Sequence, residues 1–177
     1  STIFNLSKTL LERNYDLVIN AGICGSFSED LMVGDSVSVI LDEFADLGMS
    51  YPKGKFNTIF EEELLKPDQS PFNNGKLYTP AQKFIDTELP KVTGITVNNT
   101  SGNKKQIKLR REKFNPDIET MEGAAVAYVC NSLKVNYLQI RTVSNPVEPR
   151  NKANWDIPTA ISNLAETLET IIENINK

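Results

Sequence analysis

The sequence predicts an α/β fold, with residues 1–177 forming one domain. Three observations carry this. Short continuous apolar runs have the length of strands covered on both faces. Apolar stripes of helical period open and close the chain. Strand-like and helix-like segments alternate between them, which is the pattern of a sheet with helices packed on it.

The elements follow in order. Residues 1–14 read as a helix, with Ile3, Leu6, Leu10 and Leu11 on one face and a stop at Asn14. Residues 15–20 read as a strand around Leu17, Val18 and Ile19, followed by a glycine-bearing turn, Gly22-Ile23-Cys24-Gly25-Ser26. Residues 34–41, 92–97 and 137–144 read as further strands, the last rich in β-branched Ile140, Thr142 and Val143. A helix is predicted over 119–133. Another closes the chain, with Asp156 as N-cap, Pro158 in its first turn and a stripe of Ile161, Leu164, Ala165, Leu168, Ile171, Ile172 and Ile175. Residues 51–90 are broken by Pro52, Pro67, Pro71, Pro80 and Pro90 and by the turn signal Asn73-Asn74-Gly75, so they read as a surface excursion: a lid or variable insertion with short helices.

Composition narrows the chemistry. Hydrophobic residues make up 40% and charged residues 24%, ordinary for a globular domain, and the net charge is −4. Lys104-Lys105 and Arg110-Arg111 are too sparse for a nucleic-acid face. No apolar run approaches the roughly 20 residues that span a bilayer, and Lys8 and Glu12 interrupt any signal-peptide pattern, so the expectation is a cytoplasmic protein without a membrane partner. The sequence has no histidine, and its two cysteines, Cys24 and Cys130, have no metal-type spacing. Histidine-based nucleophile activation and a zinc centre are therefore not expected, nor is a metal or cofactor. Catalysis must run on carboxylates, amides, backbone dipoles and arginine.

Three segments offer such groups. Gly22, Ile23, Cys24 and Gly25 follow a strand, where ligands bind in α/β sheets and glycine lets backbone approach them; a tight turn after a buried strand explains them equally well. Met121 and Glu122 precede Gly123-Ala124-Ala125 at a helix start. A carboxylate there accepts from two vicinal hydroxyls at once, and Met121 suits the face of a sugar ring; the alternative is a favourable dipole interaction for Glu122 and a core position for Met121. The small residues let the helix start lie close against another part of the fold. Arg141, Val143 and Asn145 alternate on a strand and should share a face. Arg141 in an apolar strand needs a carboxylate partner, with Glu119 and Glu122 as candidates. Asn145 stands at the strand end, either meeting a ligand or turning the chain before Pro146.

In this order the segments resemble the purine nucleoside phosphorylase and nucleosidase superfamily over essentially the whole chain. The likeness is strongest over 15–39, where Val33-Gly34-Asp35 follows the glycine segment, over 119–128 and over 141–157. The run Ser144-Asn145-Pro146-Val147-Glu148-Pro149-Arg150-Asn151 with Trp155-Asp156-Ile157 is most similar to futalosine hydrolases, which release hypoxanthine from futalosine in menaquinone biosynthesis. The resemblance implies a three-layer fold with a central mixed sheet flanked by helices, a purine nucleoside substrate and a homodimer. It makes Met121 and Glu122 ribose-binding residues, Glu122 and Asn145 the catalytic pair, and Gly22, Ile23, Cys24, Gly25 and Ser144 parts of the substrate site. Adenine nucleosidases usually carry aspartate at the position of Asn145. An amide accepts from the N7–H of a leaving 6-oxopurine and donates to its O6, which favours hypoxanthine or guanine.

Family members begin with a strand whose glutamate activates the attacking water. This sequence starts after that point, with the first strands of the family fold expected to be absent, so the resemblance names no general base here. Thr100-Ser101-Gly102-Asn103 resembles the base-side loop without the stacking phenylalanine of adenine nucleosidases. Arg150 is the cation available to a carboxylate-bearing substrate tail, or else pairs with Glu148 or Asp156. Two alternatives stay open within enzymes, a methylthioadenosine/S-adenosylhomocysteine nucleosidase and a purine nucleoside phosphorylase. An inactive nucleoside-binding protein is the alternative from another class.

Overall fold

The structure is a computed structural model, and it describes residues 1–83 and 85–175. Helix α1 (Thr2–Glu12) leads into β1 (Val18–Ser26), β2 (Ser36–Phe44) and the short pair β3 (Gly48–Ser50) and β4 (Phe56–Thr58). Then come β5 (Leu77–Tyr78), β6 (Lys91–Thr96), α2 (Lys104–Phe114), β7 (Ile118–Thr120), α3 (Gly123–Leu133), β8 (Tyr137–Pro146) and α4 (Ile157–Ile175).

Six strands form one mixed sheet in the order β5-β2-β6-β7-β1-β8. β1 runs parallel to β8, and β6 parallel to both β2 and β7, while β1–β7, β2–β5 and β2–β8 are antiparallel. β2 closes the sheet on itself: Ser36–Ser38 pair with β8, and from Ser38 to Phe44 the strand pairs with β6, with an irregularity between Val39 and Leu41. A bulge of this kind sharpens local twist and lets one strand serve two neighbours.

Helices cover both faces. α1 and α3 pack together on one side, where Ala124, Ala127, Cys130 and Tyr137 form a core with Leu77 and Phe72. α4 lies on the other side, against Leu138 and Ile140. Leu138 and Ile140 are fully buried, and each such side chain contributes about 1.5–3 kcal/mol relative to exposure. Asp156 caps α4 as expected: its carboxylate accepts from Thr159 N at 3.0 Å and from Thr159 Oγ1 at 2.7 Å. Of the α4 stripe, Ile171 is buried and Leu164 and Leu168 pack inward, but Ile161, Ile172 and Ile175 are exposed.

Several expectations are corrected. The glycine segment 22–26 is not a turn; β1 continues through it, because β8 supplies a partner for every residue from Val18 to Ser26. Residues 118–120 belong to a strand, so the helix predicted from 119 starts at Gly123. Residues 51–90 are more than a surface excursion. β5 joins the main sheet, Leu77 is fully buried, and Phe60, Leu65 and Phe72 pack into the core beside α1 and α3. Helix α2 was not expected at all.

Candidate active site

The end of β8 sets the first wall. β1 advances from Cys24 to Gly25 while β8 advances from Val143 to Asn145, leaving Ser144 as an extra residue. That bulge breaks the alternation that would have put Arg141, Val143 and Asn145 on one face, and it aims Asn145 at a small cavity of about 60 Å³. Asn145 is held there: its Oδ1 lies 2.8 Å from Ser144 Oγ, and its Nδ2 donates to Pro146 O at 2.9 Å. One lone pair and one proton of the amide remain for a ligand. Ser144 stands behind Asn145, with its hydroxyl 3.1 Å from Cys24 O, and so positions the amide. The cavity is completed by Gly25, by Thr100, Ser101 and Gly102, by Glu119, Thr120 and Met121, and by the segment from Pro146 to Trp155. Gly25 is needed as glycine, since a side chain would collide with Val147 Cγ2 and press on Asn145 Nδ2.

Met121 and Glu122 form the turn between β7 and α3. Both are exposed, and both line a second, much larger hollow of about 700 Å³ with Phe44, Leu47, Ile59, Leu65, Phe72 and Tyr128. Met121 borders both spaces and stands between the small cavity and the large hollow. Glu122 is the N-cap residue of α3 yet makes no capping hydrogen bond with its side chain. Its carboxylate is left to whatever enters the hollow.

The first turn of α3 rests on a buried polar network. Asp42 accepts from Thr96 Oγ1 and from Gln139 Nε2, each at 2.8 Å. Thr96 Oγ1 in turn accepts from Ala124 N at 2.6 Å, and Thr120 Oγ1 accepts from Gly123 N at 3.2 Å. These hydroxyls satisfy N–H groups that a helix start leaves open. A side chain at Gly123 would overlap Asp42, Gln139 and Thr120, so this network is what the small residues after Glu122 lie against. Burial pushes the Asp42 carboxyl up to about 6, against the hydrogen bonds from Gln139 and Thr96 and the charge of Arg141.

Arg141 does not pair with Glu119 or Glu122. Its Nη1 donates to Asn20 O and Ile140 O, both at 3.3 Å, its Nε has no partner, and no carboxylate stands within 4.0 Å among the described residues. Burial lowers its proton affinity, while Asp42, Cys24 and Glu122 act from further away to raise it. Glu119 is taken instead by Arg110, at 3.0 Å. Arg150 pairs with neither Glu148 nor Asp156. It lies over the Trp155 ring, 5.9 Å from the centroid, while Glu148 accepts from Asn154 and Asp156 from Thr159.

Of the predicted site residues, the structure therefore gathers Asn145, Gly25 and Met121 around the small cavity, with Ser144 behind and Glu122 in the adjoining hollow. Gly22, Ile23 and Cys24 line neither space. Gly22 lies under the Arg141 guanidinium, and Cys24 packs into the core with Val37, Val39 and Val143, where burial pushes its thiol up to about 12. Sequence reasoning missed Arg110, Thr120 and Trp155. For Arg110 a signal existed: Asn103 followed by Gln106 is a helix-start spacing, and the Asn103 side chain does cap α2 by accepting from Gln106 N at 3.0 Å.

Known proteins are similar to this chain in sequence and fold. The sequence profile of the phosphorylase superfamily matches residues 5–175. The futalosine hydrolase of Streptomyces coelicolor is 33% identical over 165 residues, covering 88% of this chain and 65% of that protein. The 5'-methylthioadenosine/S-adenosylhomocysteine nucleosidase of Psychromonas ingrahamii is 28% identical over 176 residues, covering 94% of this chain and 74% of that one. This chain thus spans about two thirds of the length of the futalosine hydrolases it matches. Among solved structures, the futalosine hydrolase of Helicobacter pylori superposes with a TM-score of 0.77 at 16% identity, over 98% of this chain and 74% of that one, and so shares the fold. With a profile match running over nearly its full length, the chain belongs to the phosphorylase superfamily.

Proposed function

We propose that this chain is a nucleosidase that hydrolyses the N-glycosidic bond of a 6-oxopurine nucleoside, with futalosine as substrate and hypoxanthine as the leaving base. One observation carries the reading. Met121 borders two neighbouring spaces, one holding the Asn145 amide and the other the Glu122 carboxylate, which has no hydrogen-bond partner among the described residues. A purine in the first and a ribose at the junction put a base-recognising group and a charge-stabilising group at opposite ends of one bond. The large apolar hollow beyond Glu122 then receives the bulky 5' substituent that distinguishes futalosine from a simple nucleoside.

The chemistry follows from these groups. As the C1′–N9 bond stretches, its electron pair passes to the purine and the ribose takes on oxocarbenium character. Glu122 accepts from the 2′ and 3′ hydroxyls and places negative charge near that cation. Asn145 accepts from N7–H of the base and donates to O6; the proton on N7 comes from solvent, because an amide has none to give. Water adds to C1′ and loses a proton to complete the hydrolysis. The S. coelicolor relative supports futalosine, as does an asparagine in place of the aspartate that would suit adenine. A homodimer fits the same family likeness, with Met32, Leu47, Met49 and Tyr51 supplying exposed apolar surface.

The second reading, a methylthioadenosine/S-adenosylhomocysteine nucleosidase, draws on the P. ingrahamii relative. Mass spectrometry of products from futalosine, methylthioadenosine and inosine, with and without phosphate, separates the readings. Hypoxanthine from futalosine without added phosphate is expected. Adenine release alone, or a ribose phosphate formed only with phosphate, overturns the proposal.

A further inference from the structure

The wall of the small cavity that includes Thr100, Ser101 and Gly102 is held by an ion pair buried on both sides. Arg110 and Glu119 keep only 5% and 6% of their side-chain surface exposed. Glu119 Oε1 accepts from Ser101 N at 2.8 Å, and Oε2 accepts from Ser101 Oγ at 2.6 Å and from Arg110 Nη1 at 3.0 Å. Arg110 Nη1 also lies 2.8 Å from Ser101 Oγ, and its Nη2 donates to Asn99 O at 2.7 Å. The guanidinium and carboxylate thus grip two backbone groups and a hydroxyl of one loop from two elements, α2 and β7. At the near end of the loop, Asp46 accepts from Asn98 N at 2.6 Å and from Asn99 N at 3.3 Å.

Stability alone does not account for such a pair. An apolar pair of similar volume is often as stable as a buried ion pair, but it would leave Ser101 N, Ser101 Oγ and Asn99 O without these partners. What the charges add is a fixed loop. β7 carries Glu119 two residues ahead of Met121, so the same pair ties the base-side wall to the turn that bears Glu122. A wall already in place spares a ligand the cost of ordering it.

Resting on the purine nucleosidase reading, we propose that Arg110 and Glu119 are positioning residues for the purine base: they hold the 99–102 loop as a preformed wall of the base cavity opposite Asn145. Glu119 lines the cavity, but its oxygens are engaged by the loop and by Arg110, so it acts on the base through Ser101 and Gly102. Affinity for the ring depends on the pair; the bond-breaking step, governed by Glu122, does not.

The test uses the Arg110→Gln/Glu119→Gln double variant, which removes both charges together, and Arg110→Lys, which keeps the charge but loses the planar fork that reaches Ser101 and Asn99 together. Hypoxanthine binding is measured by calorimetry, futalosine cleavage by steady-state kinetics, and folding by circular dichroism and thermal unfolding. The expected result is a hypoxanthine Kd and a futalosine KM raised about tenfold in the double variant and about threefold in Arg110→Lys, with kcat within about threefold of wild type. If the double variant does not fold, Arg110→Lys decides alone. A folded variant with unchanged Kd and KM, or one in which kcat falls and KM does not, overturns the inference while wild-type cleavage leaves the function intact. Wild-type protein that neither binds hypoxanthine nor cleaves futalosine overturns the function and this inference with it.

Discussion

At the proposed base end of the site, the 99–102 loop is gripped by Arg110 and Glu119, and Asn145 is fixed by Ser144 and Pro146 O, around a cavity of about 60 Å³. At the proposed sugar end, Glu122 is exposed, makes no cap bond and faces a hollow of about 700 Å³. The base end is pre-organised by hydrogen bonds between protein groups. The other end keeps the Glu122 carboxylate without a hydrogen-bond partner among the described residues, with order supplied from below, where Asp42, Thr96 and Thr120 hold the first turn of α3. A planar base is best recognised by a rigid slot. A ribose passing through an oxocarbenium-like state needs a carboxylate whose hydrogen bonds form with the substrate alone.

The largest effect expected from breaking this division is on turnover. Glu122→Gln removes the charge proposed to face C1′ and should lower kcat for futalosine by roughly 10²- to 10³-fold, measured by hypoxanthine release, with hypoxanthine affinity unchanged. Asn145→Asp acts at the other end and should shift preference from hypoxanthine to adenine nucleosides in product analysis. Equal turnover in Glu122→Gln, or unaltered base preference in Asn145→Asp, places the two ends elsewhere.

Next in size is a pH effect beneath the sugar end. The Asp42 carboxyl rises from 3.8 to about 6 on folding, chiefly through burial. An acid with a raised folded pKa holds its proton more tightly when folded. Its contribution favours folding below 3.8 and is lost as pH climbs through about 6. Asp42→Asn lacks this dependence. Its stability relative to wild type should therefore improve by about 3 kcal/mol between pH 3.5 and 7, measured by urea unfolding across that range. The amide also turns an NH2 toward the Gln139 NH2, a penalty that is the same at every pH. A constant difference would mean that folding leaves the Asp42 carboxyl at its ordinary pKa and that burial does not raise it. Gly123→Ala disturbs the same support by steric overlap with Asp42 and Gln139. It should cost about 2–3 kcal/mol and lower turnover by displacing Glu122, while the equivalent change at the open loop position Gly102, where a side chain meets little, costs far less.

The same contrast explains what the sequence disclosed. The start of α3 was legible because its features are local: Met121, Glu122 and three small residues in a row already describe a helix start pressed against a neighbour. Asn145 was legible from its place at a strand end, although the Ser144 bulge that aims it left no mark in the sequence. The base end was hidden because its pieces are distant. Arg110 pairs with a residue on another element, and its charge on the inner face of α2, between Ile107 and Phe114, masks the apolar period by which a helix is recognised. Arg141 failed because neither of its two candidate partners reaches it: Arg110 holds Glu119, and Glu122 faces the large hollow.

The smallest prediction compares the two helix starts directly. α2 begins with Asn103, whose side chain accepts from Gln106 N at 3.0 Å, whereas α3 begins with Glu122, which caps nothing. Asn103→Ala should therefore lower stability by about 1 kcal/mol, read by chemical denaturation, and loosen the loop that ends at Gly102. Glu122→Ala should leave stability within about 0.5 kcal/mol of wild type while removing activity. A residue that costs turnover without contributing to the fold is what a group reserved for substrate looks like. If Glu122→Ala destabilises the protein as much as Asn103→Ala does, Glu122 is a structural cap, and the carboxylate proposed to meet the ribose has to be sought on another element.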